Sequence, residues 1–372
     1  MKALRLIVAA GVLVGCSAPS EDIRIGAAGP WTTGYGSMNQ MGIQLAEAEI
    51  NAAGGVRGQT LTVVYVDDEG DGAKAATIAR QFVDTPEIVA VVGHVNSGAM
   101  VAAARVYDGA LPAVATTATS PDLTGISPWV FRVISSDSVN GVDLARFANQ
   151  LGHRRAAILY ENNSYGRGLA DAFRRNFTGE IVGIDPIADD VTNVEPYISW
   201  FRLRGPDVVF VAGTEASGMA ILREARRQRL AADFLGGDGW TGVVGEPAAA
   251  EGAFVGAPFS AQDPRPEVRE FVTRFRSRYG REPDGNAALA YDATMLVAQA
   301  IERGRTRAGV RDVLAAGSID FAGVTGPIRF RPDGDPIGKS FVMTRVRNGA
   351  LVVHDAPPLV ESTPVRAAGG GQ

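Results

Sequence analysis

Cysteine is nearly missing from the chain. Cys16 is the only one among 372 residues, so no disulfide can form within a single copy and a disulfide-stapled scaffold is excluded. Histidine is almost as scarce: His94, His153 and His354 stand far apart, with no metal-ligand spacing and no acidic partner at a fixed offset, which gives no support to a metal centre. Clustered basic charge is missing too. The net charge is -5 and the arginines are scattered, which argues against a nucleic-acid surface. No G-x-S-x-G elbow occurs. Gly338-Lys339-Ser340 has the tail of a phosphate loop, but Asp333 stands where the leading glycine is required. Asp67, Glu69, Asp71 and Gly72 imitate the start of a calcium loop, yet Ile78 occupies the position of its closing acid. No catalytic constellation and no cofactor motif emerges, and the chain reads as a non-enzyme.

What is present is enough apolar material for two cores: 46% of the residues are hydrophobic and the length suits two domains. The first residues lie outside that scheme. Lys2 and Arg5 precede the apolar run Leu6 to Val14, too short to span a bilayer as a mature helix, and the run ends in Leu13-Val14-Gly15-Cys16, which looks like a bacterial lipobox. Residues 1–15 are therefore expected to be a lipoprotein signal peptide, Cys16 the lipidated residue and 16–22 a tether, placing the mature protein in the periplasm on a lipid anchor. Ser17 lacks the aspartate associated with inner-membrane retention, so the inner and the outer membrane both stay open.

Strand and helix then alternate. Ile23 to Ala27 reads as a strand, Gly29 to Gly36 as a Gly-rich loop carrying Trp31 and Tyr35, and Ser37 to Ala52 as a helix stopped by Gly54-Gly55. The densest stretch is Glu87 to Gly125. Its β-branched run Ile88 to Val92 suits a strand covered on both faces; a helix opens at Asn96/Ser97, and a second strand, Pro112 to Ala115, delivers Thr116, Thr117, Ala118, Thr119 and Ser120 to the same rim. A second α/β array starts near Ser138 and runs to Gly236-Gly237-Asp238-Gly239. Three extended links, Phe131 to Ile134, Ala253 to Pro258 and Gly326 to Arg331, break the pattern, and Asn348-Gly349 joins a terminal hairpin. The fold class expected is α/β, with two doubly wound parallel-sheet lobes.

Parallel strands deliver their carboxyl ends to one edge, so polar and aromatic residues there become the candidate site. In the first lobe these are Tyr35, Ser97, Thr117 and Thr119; in the second, Tyr165, Glu215 and Asp238. Ser97 can simply cap its helix, or it can meet an anion at an open helix N-terminus. Tyr165 can pack the lobe, and the two acids can be solvated loop carboxylates.

The segments IGAAGPWTTGYG, AEAEINAAGGVRGQTLTVVYVDDEGD, VVGHVNSG, ATTATSPDLT, ENNSYGRGLADAF, FLGGDG and AALAYDATMLVAQAIERG make the chain resemble, from about Ile23 to Val353, the branched-chain amino-acid (leucine/isoleucine/valine-type) periplasmic binding proteins of ABC importers. The resemblance implies a type I architecture of two lobes joined by three crossings. Residues 23–133 plus 258–327 would form lobe one, 134–257 plus 328–358 lobe two, and 359–372 a disordered tail. It implies a small-molecule ligand, an amino acid or analogue, with the α-carboxylate on Ser97 and the Ala118/Thr119 backbone. The α-ammonium would meet the Thr117 carbonyl, the Thr119 hydroxyl and Asp238, with Tyr165 and Tyr35 closing on the rest. ABC permease subunits would be the protein partners, the membrane would be reached through the N-terminal lipid, and no metal or nucleic acid is implied. A ligand-sensing or regulatory envelope lipoprotein of the same fold is the alternative. One departure stands out: Gly213-Thr214-Glu215-Ala216 replaces an aromatic pair, which weakens the case for an aliphatic ligand and makes Glu215 a candidate second acid.

Overall fold

The computed structural model describes residues 22–187 and 193–354; Cys16, the leader and tether before residue 22, and the tail lie outside the described residues. The first half is a regular alternation: β1 (Ile23–Gly29), α1 (Gly34–Ala52), β2 (Leu61–Asp67), α2 (Gly72–Val83), β3 (Ile88–Gly93), α3 (Ser97–Tyr107), β4 (Ala113–Ala115) and β5 (Val130–Arg132). These strands make one sheet in the order β2-β1-β3-β4-β5, parallel at every pairing. Helix α4 (Asp137–Gln150) opens the second lobe. It is followed by β6 (Arg155–Glu161), α5 (Ser164–Asn176), β7 (Glu180–Ile187), α6 (Glu195–Arg204), β8 (Val208–Ala212), α7 (Glu215–Gln228), β9 (Asp233–Gly236), a 3-10 turn over Asp238–Gly245, α8 (Pro247–Ala250) and β10 (Phe254–Ala257).

The chain then returns. Helices α9 (Pro266–Tyr279), α10 (Gly285–Gly304) and α11 (Arg307–Ala315) belong to the first lobe, where α10 packs on α1 and β3 and α11 on α10 and β3. A small antiparallel pair, β11 (Phe321–Gly323) and β12 (Gly326–Ile328), precedes the last crossing. Strands β13 (Val342–Arg347) and β14 (Ala350–Val353) complete the second sheet, ordered β14-β13-β10-β9-β8-β6-β7. Its parallel body therefore carries an antiparallel edge, β13 running against β10 and β14 against β13. The hairpin turn has Asn348 and Gly349 both at positive φ, 51° and 73°, as a tight Asn-Gly turn requires.

Local chemistry sets the element ends. Thr33 caps α1 by accepting the Gly36 amide at 3.1 Å, so the helix begins at Gly34, earlier than the Ser37 expected from the glycine-rich loop. Glycine is needed at position 36 because a side chain there would run into the Pro30 carbonyl. Asp71 of the calcium-like fragment caps α2, its carboxylate accepting the Lys74 amide at 2.8 Å. The link expected at Gly326 to Arg331 is in part strand: β12 pairs with β11 before the chain crosses.

One buried ion pair fastens the crossings. Arg132, at the end of β5 and 2% exposed, donates from Nε to Asp335 Oδ1 at 2.6 Å, from Nη1 to the Ser120 carbonyl at 2.8 Å and from Nη2 to Thr124 Oγ1 at 2.7 Å. Asp335 lies on the third crossing, so the pair holds that strap against the end of the first sheet. Removing one partner of such a pair strands a charge in the interior. Asp335→Ala is expected to lower the unfolding free energy by about 3 kcal/mol, measured by urea denaturation; a loss below about 1 kcal/mol, the value of an exposed pair, would show that the strap holds without it.

Candidate functional site

The two sheets present their strand ends to a shared cavity of about 160 Å³. Lobe one lines it with Tyr35, Gly70, Val95, Asn96, Ser97, Gly98, Thr117 and Asn286, lobe two with Glu161, Asn163, Tyr165, Thr214, Asp238 and Gly239. The lobes meet around it: Asn286 Nδ2 of α10 donates to Thr241 Oγ1 of the 3-10 turn at 3.3 Å, and Gly168 of α5 passes so close to Pro121 that a β-carbon would clash.

The N-terminus of α3 is open. Asn96 holds the capping position in extended backbone but makes no capping bond; its Nδ2 turns aside to donate to Tyr35 Oη at 2.9 Å. Ser97 does not cap either. Its Oγ accepts the Thr119 and Ser120 amides, each at 3.1 Å, so the hydroxyl fixes the loop after β4 against α3 and keeps its own proton free to donate. The first-turn amides of α3 and the positive end of its dipole thus face the cavity beside Ser97 and Gly98, an arrangement suited to a carboxylate.

The opposite charge preference is built by two carboxylates. Asp238 accepts from Tyr165 Oη at 3.0 Å, and that hydroxyl accepts the Gly239 amide at 3.1 Å. Asp238 opens on the cavity yet lies deep, and burial pushes its carboxyl up to about 6, opposed by the Tyr165 hydrogen bond. Behind it stands Asp137, the first residue of α4, fully buried and absent from the residues expected to form the site. Its amide donates to the Thr119 carbonyl at 2.8 Å. Neither of its carboxylate oxygens has a well-formed hydrogen bond, and Thr119 Oγ1 is likewise buried without one. Burial first, and then the neighbouring Asp238 charge, hold the Asp137 carboxyl well above the usual carboxylate range, although Thr119 and Asn140 lie close enough to favour ionisation. Arg132 also favours the ionised form, but among the described residues no Lys, Arg or His lines the cavity.

Other expected residues are placed as follows. Tyr35, Ser97, Thr117, Tyr165 and Asp238 line the cavity; Ala118 and Thr119 are buried directly behind its wall. Glu215 does not line it. Its carboxylate lies against Gly34 and Gly242, and burial, then Asp284, pushes it up. Glu161, Asn163, Thr214, Asn96 and Asn286 line the cavity without having been singled out. Glu161 accepts at Oε1 from the Thr214 amide and hydroxyl, both at 2.7 Å, and from Ser217 Oγ at 2.9 Å, so it serves as the cap that Thr214 does not provide for α7. His94, isolated in sequence, has partners in space. Its Nδ1 lies 2.6 Å from Asp68 Oδ2 and its Nε2 3.0 Å from Tyr107 Oη, all three residues sealed from solvent and cavity. Among the described residues no group of acids, histidines or cysteines is arranged to hold a metal ion.

Two α/β lobes with a polar crevice between their strand ends, joined by three crossings, define the type I solute-binding architecture. A family profile described as periplasmic binding protein matches residues 22–350. The chain belongs to the periplasmic binding protein family. An "Amino acid binding protein" of Pseudomonas aeruginosa is 30% identical over 315 residues, covering 79% of this chain and 82% of the relative. "Leu/Ile/Val-binding protein homolog 2" of Brucella abortus is 29% identical, covering 88% and 91%. Among solved structures, an ABC transporter substrate-binding protein of Desulfitobacterium hafniense in complex with Leu shares 34% identity with a TM-score of 0.79, covering 90% of this chain and all of that one. The branched-chain amino acid transporter substrate-binding protein LivJ of Streptococcus pneumoniae in complex with isoleucine shares 29% with a TM-score of 0.84, over the same shares of each chain.

The acid pair makes the ligand-free protein sensitive to pH. Both carboxyls sit above their ordinary value of 3.8, so the folded chain holds protons that the unfolded chain has released. That contribution to stability is complete below about pH 4 and is lost as pH rises through the folded values, Asp238's being about 6. Ligand-free Asp137→Asn is therefore expected to melt above the natural protein at pH 8 by about 2 °C or more, with the gap closing at pH 4. A gap that is flat across this range would show that Asp137 carries no such strain.

Proposed function

We propose that the protein is the extracytoplasmic solute receptor of an ABC importer, binding an amino acid or a related small polar ligand between its lobes and handing it to the permease subunits. One observation carries the reading: a single cavity joins an uncapped helix N-terminus to two clustered carboxylates, with no basic side chain among the described residues that line it. A zwitterion leaving water needs both of its charges paired and hydrogen-bonded, and this cavity offers one partner of each sign. The α-carboxylate takes the Ser97 hydroxyl proton and the first-turn amides of α3, with the Ala118/Thr119 backbone behind. The α-ammonium takes Asp238, the Thr117 carbonyl and the Thr119 hydroxyl that lacks a well-formed hydrogen bond, and it adds to the Arg132 charge a second positive charge near Asp137. Tyr165, already bonded to Asp238, carries lobe two onto the ligand, so binding and closure are one event. The relatives solved with leucine and isoleucine support an amino-acid ligand. No step of bond making or breaking is required. Cys16 carries the lipid that keeps the receptor at the membrane, and its membrane affinity comes from acyl chains rather than from any described helix, none of which is long and apolar enough to cross.

A ligand bound only by the folded state stabilises it by about 2.7 kcal/mol at a hundredfold excess over its Kd. Thermal unfolding against a panel of amino acids is expected to show a shift of several degrees for at least one of them. Asp238→Ala, which removes the ammonium's anchor, is expected to abolish that shift; an unchanged shift in the variant would place the ammonium elsewhere.

A further inference from the structure

Resting on the zwitterion reading, the cavity also limits what the ligand carries beyond its α-carbon. We propose that the ligand's side chain ends in N–H or O–H donors, as a carboxamide, hydroxyl or amine, and is not a branched aliphatic group. Val95 is the one aliphatic side chain among the described residues lining the cavity. The Tyr35–Asn96 pair leaves a specific vacancy: because Asn96 spends its Nδ2 on Tyr35 Oη, its Oδ1 is a buried acceptor with no donor, and the tyrosine keeps its own proton to give. On the other wall stand Asn163, Thr214 and the carboxylate of Glu161. Oε1 of that carboxylate is saturated by three donors, while Oε2 accepts only Asn163 Nδ2 at 3.2 Å, leaving a lone pair for a further donor.

The electrostatics point the same way. Burial, and to a smaller extent the Glu161 charge, raises the Tyr35 hydroxyl, so the field of Glu161 reaches across the cavity to the Tyr35–Asn96 pair. A donor placed between these walls satisfies Asn96 Oδ1 and lies in a negative field. A leucine side chain in the same place leaves Asn96 Oδ1 without a donor and strips water from the tyrosine hydroxyl and from Glu161 Oε2, returning nothing, which is the costly way to bury a polar group. Sites built to bond a polar group reject the analogue that lacks it far better than apolar pockets reject an extra methylene. Asn96 is therefore assigned as a specificity-determining residue, acting through its unpartnered oxygen.

Calorimetric titration of the ligand-free protein with two sets of amino acids tests this. One set bears donors (glutamine, asparagine, serine, threonine, ornithine, lysine, arginine); the other is leucine, isoleucine and valine. At least one donor-bearing amino acid is expected to bind at least about tenfold more tightly than any of the three aliphatic ones, and the amide, hydroxyl and amine arms identify the donor. In Asn96→Leu the preference is expected to fall by about tenfold or more through weaker binding of the polar ligand, with leucine bound as well as before or better. Because the readout is a ratio within one protein, partial loss of active material does not mimic it. Aliphatic amino acids binding as tightly as every donor-bearing one, or an unchanged ratio in the variant, would overturn the proposal while leaving the zwitterion reading intact. Binding of none of the amino acids would overturn that reading and this inference with it.

Discussion

The site is organised around a charge imbalance. Asp137 is fully buried behind the half-buried Asp238, and among the described residues no basic side chain lines the cavity in front of them. Two carboxylates in such surroundings resist ionisation, because each is penalised by burial and by the other's charge. The acid pair is therefore strained, and the ammonium of the proposed ligand would relieve it. The same physics explains why the opposite end of the cavity is a helix N-terminus left uncapped. Partial positive charge on backbone amides meets a carboxylate without introducing a basic side chain that would collapse onto the two aspartates and extinguish the site.

The fold supplies this arrangement from separate parts of the chain. Helix α3 and the loop after β4 come from lobe one, and the Ser97 hydroxyl fastens them together. Asp137 begins the first element of lobe two but hangs from lobe one through the Thr119 carbonyl, so the acid sits at the hinge itself. Asp238 follows the last glycines after β9, where Tyr165 aligns it. The Arg132–Asp335 pair keeps the third strap registered against the end of β5.

Much of the architecture was legible in the sequence because it rests on short-range patterns. The β-branched run at Ile88, the Asn348-Gly349 turn and the Gly54-Gly55 stop after α1 need no distant partner to be read. What could not be read depends on partners far along the chain. Asn96 and Ser97 advertise a helix start, but Asn96 turns away to Tyr35, 61 positions earlier, and Ser97 to the loop 22 positions later. Asp137 follows the cap Ser136 and looks like an ordinary acid in a first helical turn; only its burial against Thr119 and Asp238 sets it apart. Glu161 reads as a strand-end carboxylate, and its capping of α7 spans 53 positions. Glu215 stands in the first turn of α7 as its neighbours suggest, yet that turn points it toward Gly34 and Gly242 and not into the cavity. Acid in place of an aromatic pair identified a changed site without showing which residue would face the ligand.

The central claim is that a ligand ammonium replaces protons on the Asp137–Asp238 pair. The most direct test is calorimetric binding of an amino acid at pH 6 in two buffers of different ionisation enthalpy, which counts the protons exchanged. With Asp238 near 6 and Asp137 held well above the usual carboxylate range, the empty pair carries bound protons at that pH, and on this account the ligand's ammonium displaces them. Release of roughly one proton per ligand bound is expected. Binding with no proton released, or with protons taken up, would contradict the account.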